Sequence, residues 1–259
     1  MPHPIKGLPF ALRTSGLSKS FSGLKTVSGV DFYLEVGARQ ALIGPNGAGK
    51  TTFINLLTGS IPPTSGTVWI NEENVTPLAA HKRVKRGLAR TFQINSLLRE
   101  LTVLEHVQLA VAEQVGVGGR LLGSQSVQRQ TAEAAYDILE QLKLEQSAML
   151  PITELSYGRQ RLVEIAIALA LKPSVLLLDE PAAGVPPADS HLVFELIEAL
   201  PSNVSVLFIE HDMKLVARFA ERISVLVAGE IVLEGTPNDI ASSSLVRDIY
   251  LGHRHGRAS

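Results

Sequence analysis

Residues 44–52 read Gly44-Pro45-Asn46-Gly47-Ala48-Gly49-Lys50-Thr51-Thr52. The run fits the pattern G-x-x-x-x-G-K-S/T, and each residue type in it answers a chemical demand. Glycines let the backbone curl so that successive N–H groups point at phosphate oxygens. The lysine adds a point charge for the terminal phosphates, and the hydroxyl of Thr51 can ligate Mg²⁺. Upstream, Arg39-Gln40-Ala41-Leu42-Ile43 reads as a short strand; downstream, Thr52 to Leu57 reads as the start of a helix. Strand, loop and helix form the context in which such a run cradles phosphate, because the helix N-terminus adds its dipole to the anion site.

Outward from the loop, the chain alternates. Residues 11–37 read as antiparallel strands, with Val27, Val30, Phe32 and Leu34 marking part of the pattern, and Val68-Trp69-Ile70 is a further short strand. Residues 77–90 carry His81, Lys82, Arg83, Lys85, Arg86 and Arg90, which read as the solvated face of a helix. Residues 102–114 and 127–145 read as helices joined through the flexible Gly116-Val117-Gly118-Gly119-Arg120, so that 94–160 form a mostly helical insert. Strand–helix alternation then resumes. Val175–Leu178, Val204–Ile209 and Ile223–Val227 are apolar strands; Leu192–Leu200 and Met213–Ala220 are helices. Continuous apolar strands separated by helices predict a parallel sheet covered on both faces. The tail, residues 252–259, is expected to be disordered, with its two histidines solvated.

With 259 residues, the chain is long enough for a sizeable buried core. A net charge of -1 gives no basic footprint for nucleic acid. The absence of cysteine excludes a disulfide framework and a zinc–thiolate site, and fits a reducing compartment. The start, Met1-Pro2-His3-Pro4-Ile5-Lys6, lacks the apolar region of a signal peptide. The longest apolar stretch, Ile165 to Leu178, is interrupted by Lys172 and Pro173 and is too short to span a membrane. A mean hydropathy of +0.18 fits buried parallel strands.

A second chemical feature is Leu176-Leu177-Leu178-Asp179-Glu180-Pro181, where an apolar strand ends in two carboxylates at the edge of the sheet that binds ligands in such folds. Asp179 is placed to hold Mg²⁺ and Glu180 to polarise an attacking water as general base. A third is Leu155-Ser156-Tyr157-Gly158, leading into a helix; alone, Ser156 would be read as a helix cap.

Taken together, these motifs resemble the nucleotide-binding subunit of ATP-binding-cassette (ABC) transporters. Phosphate loop, glutamine after a strand (Arg90-Thr91-Phe92-Gln93), Leu-Ser-x-Gly signature and Asp-Glu-Pro occur in the family's order, followed by Phe208-Ile209-Glu210-His211-Asp212 with the family's switch histidine. The resemblance covers residues 10–251 and implies one nucleotide-binding domain. Its fold would be α/β, a P-loop NTPase with a RecA-like core (10–93 and 161–251), an antiparallel β subdomain and an inserted α-helical subdomain (94–160). By resemblance, ATP and Mg²⁺ are the ligands. Phe21 would stack on adenine, Gly44 to Thr52 would hold the phosphates, and Thr51, Gln93 and Asp179 would hold Mg²⁺. Lys50, Glu180 and His211 would carry the catalysis. The signature residues Ser156, Tyr157 and Gly158 would meet the nucleotide of a second cassette, so a head-to-tail dimer, with itself or with another ABC ATPase, is implied.

Finer details resemble the branched-chain (hydrophobic) amino-acid importer ATPases: Tyr157 within the signature, Gly87-Leu88-Ala89-Arg90-Thr91-Phe92-Gln93, Pro181-Ala182-Ala183-Gly184, Ile209-Glu210-His211-Asp212-Met213 and the ending Tyr250-Leu251-Gly252. That branch implies transmembrane permease subunits, a periplasmic solute-binding protein reached indirectly, and a peripheral position on the cytoplasmic face of the bacterial inner membrane. Leu97, Leu98 and Leu101 would line a groove for a short permease helix. The chain departs from the family's pattern at Arg159, at Leu162 and at Val185-Pro186-Pro187, where Pro186, lacking an N–H, puts cross-dimer hydrogen bonds in doubt. The alternatives are the ATPase of a lipid or lipopolysaccharide export system and a soluble ABC protein. The latter would show coiled coils or a second cassette, and neither is seen. A non-catalytic regulator would lack Glu180 or His211.

Overall fold

The computed structural model describes residues 10–91, 97–118 and 125–251. Two sheets organise it. The first is a four-stranded antiparallel sheet of β1 (Phe10–Phe21), β2 (Leu24–Glu35), β4 (Ser65–Ile70) and β5 (Glu73–Asn74), in the order β2-β1-β4-β5. The second is six-stranded. It contains β3 (Arg39–Ile43), β6 (Leu88–Arg90), β7 (Val175–Asp179), β8 (Ser205–Ile209), β9 (Arg222–Val227) and β10 (Glu230–Gly235), in the order β10-β9-β3-β8-β7-β6. All neighbours in it are parallel except the edge hairpin β9–β10. This is the expected α/β cassette.

The apolar strands explain the layering. Successive side chains point to opposite faces of a strand, so a strand without polar residues must be covered on both sides. Val175 and Leu177 of β7 enter one core with Phe53, Leu56 and Leu57 of α1 (Lys50–Thr58) and with Leu12, Phe32 and Val68 of the antiparallel sheet. Leu176 and Leu178 enter the other, against α5 (Tyr157–Ala170), α6 (Pro187–Glu198) and α7 (Met213–Phe219). That second core runs on into α3 (Val103–Gln114) and α4 (Gln125–Gln141), the helices expected within the insert.

Four details differ from the sequence reading. The basic stretch is only briefly helical (α2, Ala80–Val84) and then becomes the strand β6. Within it, His81, Lys82, Lys85 and Arg86 are exposed, but Arg83 is 1% exposed. Its guanidinium donates to the carbonyls of Leu56 and Leu57, both at 2.7 Å, and so caps the C-terminal turn of α1. Next, α4 stops at Gln141 because Lys143 turns left-handed (φ 54°), letting the Leu144 N–H reach back to the Leu139 carbonyl at 2.8 Å. Then α6 begins at Pro187, five residues before Leu192, since a proline's fixed φ and missing N–H suit the first helical position. Finally, two short helices, α8 (Pro237–Ser242) and α9 (Ser244–Leu251), end the described chain.

Candidate functional site

Three parallel strands, β3, β8 and β7, lie side by side and end at one edge, and the motifs sit at those ends. From β3 the chain runs into the phosphate loop. Gly49 caps α1 at φ 103°, and a Cβ there would overlap the Thr26 carbonyl oxygen; one on Gly44 would overlap that of Leu226. Only glycine lets the loop lie this close to its neighbours. It is braced by bonds from Gly229 N–H to the Ala48 carbonyl and from Ser28 N–H to the Gly229 carbonyl, both 2.8 Å. The first intrahelical bond runs from Phe53 N–H to the Gly49 carbonyl at 2.8 Å, so the N–H groups of Lys50, Thr51 and Thr52 precede it at the dipole's positive end. Lys50 is 8% exposed, and its Nζ donates to the carbonyls of Gly44 (2.7 Å) and Pro45 (3.0 Å). Burial lowers its pKa, while Glu180 and Asp179 act against that lowering. Thr51, Asn46 and Gly47 are exposed.

The end of β7 carries the carboxylates. Asp179 is 3% exposed; its Oδ2 accepts from Arg90 Nη2 at 2.8 Å, and Arg90 Nη1 donates to Asn55 Oδ1 of α1 at 2.7 Å. Arg90 and Asn55 thus join the aspartate to the phosphate-loop helix. Sequence reasoning missed both, since Arg90 lay in a stretch taken for a solvated face. Glu180 leaves the strand at φ 50°, and His211 Nε2 donates to its Oε1 at 2.7 Å. The pair borders a cleft of about 240 Å³ shared with Ala182, His191 and Glu210.

An oxygen donor set suits Mg²⁺, which keeps most of its waters and takes one or two protein oxygens beside substrate phosphates. The Thr51 hydroxyl and the buried Asp179 carboxylate, of which Arg90 engages one oxygen, fit that demand. Among the described residues no group of three His, Cys, Asp or Glu offers an all-protein metal cage. Gln93 and Phe92 lie outside the described residues.

Phe21 ends β1 at a hairpin tip, 47% exposed, with Lys19 Nζ 5.1 Å from its ring centre. The signature opens α5. Ser156 is its N-cap residue and is exposed, yet its side chain makes no capping bond, contrary to the default reading of a serine there. Gly158 is buried, and a Cβ on it would come within 3.2 Å of Val185 and Asp189. The Tyr157 ring lies beside Gly184, where a Cβ would be 3.0 Å from ring Cε1, and 5.6 Å from the Arg161 guanidinium. Signature and the loop after Glu180 therefore pack on each other. Arg159 donates to Ser147 Oγ at 2.5 Å, and the carbonyl of Pro186 accepts the N–H groups of Asp189 (2.9 Å) and Ser190 (3.0 Å) as the first bonds of α6. Of the expected docking residues, Leu97 packs on the core and Leu98 is 54% exposed.

Comparison with known proteins agrees with this geometry. The family model for ABC transporters matches residues 27–183. LivG of Salmonella typhimurium, a high-affinity branched-chain amino acid transport ATP-binding protein, is 40% identical over 248 residues, covering 93% of this chain and 97% of that one. BraF of Pseudomonas aeruginosa, described in the same words, is 39% identical over 250 residues, with 93% and 97% covered. Among solved structures, the ADP conformation of MJ1267, an ATP-binding cassette of an ABC transporter, superposes with a TM-score of 0.82 at 32% identity, covering 94% of this chain and 99% of that one. The dimeric ABC transporter cassette MJ0796 gives 0.73 at 26% identity, covering 87% and 98%. Matched along most of its length by proteins of this kind and folded like their solved cassettes, the chain belongs to the ABC transporter family as one of its ATP-binding cassettes.

Proposed function

We propose that this ATP hydrolase powers an importer of branched-chain amino acids, or of related hydrophobic small solutes, from the cytoplasmic face of a bacterial inner membrane. It would do so bound to transmembrane permease subunits and paired with a second cassette, with a periplasmic binding protein delivering the solute. The solute class rests on the relatives named above. The position at the membrane surface is compatible with the described residues, none of whose helices is long and apolar enough to cross a membrane.

The observation that carries the chemistry is the Glu180–His211 pair, 2.7 Å apart, at the strand ends beside Lys50. In this reading the adenine stacks on Phe21. Phosphate oxygens replace the Gly44 and Pro45 carbonyls on Lys50 and take the N–H groups of Lys50, Thr51 and Thr52. Thr51, Asp179 and Gln93 would hold Mg²⁺, which supplies positive charge against the terminal phosphates when bound. Glu180 takes the proton of the attacking water, and His211 holds that carboxylate and the water in line. Ser156 and Gly158 serve the partner cassette's nucleotide.

The experiment is Glu180→Gln. ATP binding should persist, and turnover should fall about 10²- to 10⁴-fold, the size of a general-base effect; wild-type turnover would remove Glu180 from the mechanism. The transport assignment is tested separately by purifying the chain with its membrane complex. Two permeases and a second ATPase support an importer of this branch, and an export complex would overturn it.

A further inference from the structure

Glu180 and His211 leave neighbouring parallel strands, and something must hold both exits in shape. Asp179 of β7 pairs with Ile209 of β8 in register, so Glu180 and Glu210 are the first residues beyond the ends of adjacent strands. Glu180 adopts φ 50°, a left-handed conformation that a residue with a Cβ keeps only where its surroundings over-determine it. Two bonds do this. The Glu180 N–H donates to the Ile209 carbonyl at 3.0 Å, and the Ala182 N–H, within the turn that follows, donates to Glu210 Oε1 at 2.9 Å. The other oxygen of the same carboxylate, Oε2, accepts the His211 N–H at 3.1 Å. His211 Nε2 then returns to Glu180 Oε1. The contacts close a ring: Glu180, its turn, Glu210, His211 and back to Glu180.

Glu210 is 6% exposed and extends the apolar run Val206-Leu207-Phe208-Ile209. Packing alone would favour an apolar residue there. Burial pushes its carboxyl above the usual range, as expected where ionisation is costly. What the carboxylate supplies instead is two acceptor oxygens that reach two different loops.

We propose that Glu210 is a positioning residue for ATP hydrolysis: its carboxylate straps the turn after Glu180 to the backbone of His211 and so sets the distance between those two side chains. The proposal rests on the assignment of Glu180 and His211 to the reaction. Glu210 acts through them, whereas nucleotide binding is carried by the phosphate loop on β3 and α1.

The test compares Glu210→Ala, which removes both acceptors, and Glu210→Gln, which keeps one, with wild type in the membrane complex that the full chain forms. In Glu210→Ala kcat should fall about 10- to 100-fold, the cost of misplacing reacting groups by about an ångström. In Glu210→Gln it should fall less. The Kd of a fluorescent ATP analogue should stay within about two-fold in both, separating a chemical-step defect from lost binding. A kcat within about two-fold of wild type in folded Glu210→Ala, or a loss of ATP affinity in proportion to kcat, overturns the proposal. If Glu210→Ala does not fold, Glu210→Gln decides by the same two criteria, an unchanged kcat again overturning it. Glu180→Gln is carried alongside. Wild-type turnover in it overturns the assignment of Glu180, whereas an inactive Glu180→Gln beside a fully active Glu210→Ala overturns the strap alone.

Discussion

Arg90 shows how much a single side chain carries at this site. Its guanidinium spans from Asn55 on the phosphate-loop helix to Asp179 at the end of β7, and the side chains of the ion pair are only 14% and 4% exposed. Removing the cation strands a buried carboxylate, which typically costs about 3–5 kcal/mol. Arg90→Met should therefore lower the urea midpoint sharply. Adding Asp179→Asn should return part of the loss, because the second change removes the charge that the first left bare. Additive losses would mean that the pair does not act as a unit. Phe21 poses the opposite case, an exposed ring whose proposed partner is the adenine of a ligand. Phe21→Ala should weaken ATP binding by about 1–3 kcal/mol, the usual worth of a base–aromatic stack, with kcat unaltered at saturating ATP. Unchanged ATP affinity would place the adenine elsewhere.

At the scale of elements, what was legible in the sequence was what short stretches dictate by themselves. The phosphate loop needs glycines at fixed spacing before a helix; β7, β8 and β9 needed no more than predominantly apolar runs, two of which, β7 and β8, end at chemical groups. The strand β6 was legible only through the resemblance, which implies a strand before Gln93; local patterning put Leu88-Ala89-Arg90 at the end of a helical stretch, because they become a strand by pairing with residues 175–177. Arg83 was misread for a similar reason: its acceptors are carbonyls 26 and 27 residues away, and local charge patterning sees only neighbouring cations. Glu210 was visible as a letter in a motif, but its bond to Ala182 crosses 28 residues. The entry to α3 is local and testable. Thr102 and Glu105 form a reciprocal capping box, so Thr102→Ala should cost about 1 kcal/mol in thermal or urea unfolding. Bonds from the Thr102 N–H and hydroxyl hold the Glu105 carboxyl below its ordinary pKa. A depressed carboxylate pKa stabilises the fold fully above the unfolded-state value, and the contribution fades as pH falls through the lower, folded-state value. The stability gap between wild type and Glu105→Gln should accordingly close on acidification through that window. A gap constant with pH would exclude the charged cap.

The whole molecule raises a question of completeness. Among the described residues, no hydrogen bond or ion pair joins the signature turn to the phosphate loop of the same chain. The signature packs on Gly184, Val185 and Asp189, and the Ser156 side chain is exposed without a capping bond at the positive end of α5. A helix N-terminus left in this way suits an anion supplied from outside the chain. If that anion is the γ-phosphate held by a partner cassette, ATP is the ligand that closes the pair, and hydrolysis reopens it. Glu180→Gln, expected to slow hydrolysis, should then accumulate the closed form, shifting from 27.8 kDa toward twice that mass on size-exclusion with light scattering when ATP and Mg²⁺ are present, and only then. Ser156→Arg placed in the same chain should abolish the shift by crowding the partner's phosphates, while its own ATP binding, which uses the phosphate loop, should remain. A dimer that forms without nucleotide, or one that tolerates Ser156→Arg, would show that the signature is not the contact that ATP completes. A monomer at every ATP concentration would instead leave the closure to a different cassette, and mixing it with the second ATPase of the proposed membrane complex should then restore the shift with the same dependence on Ser156.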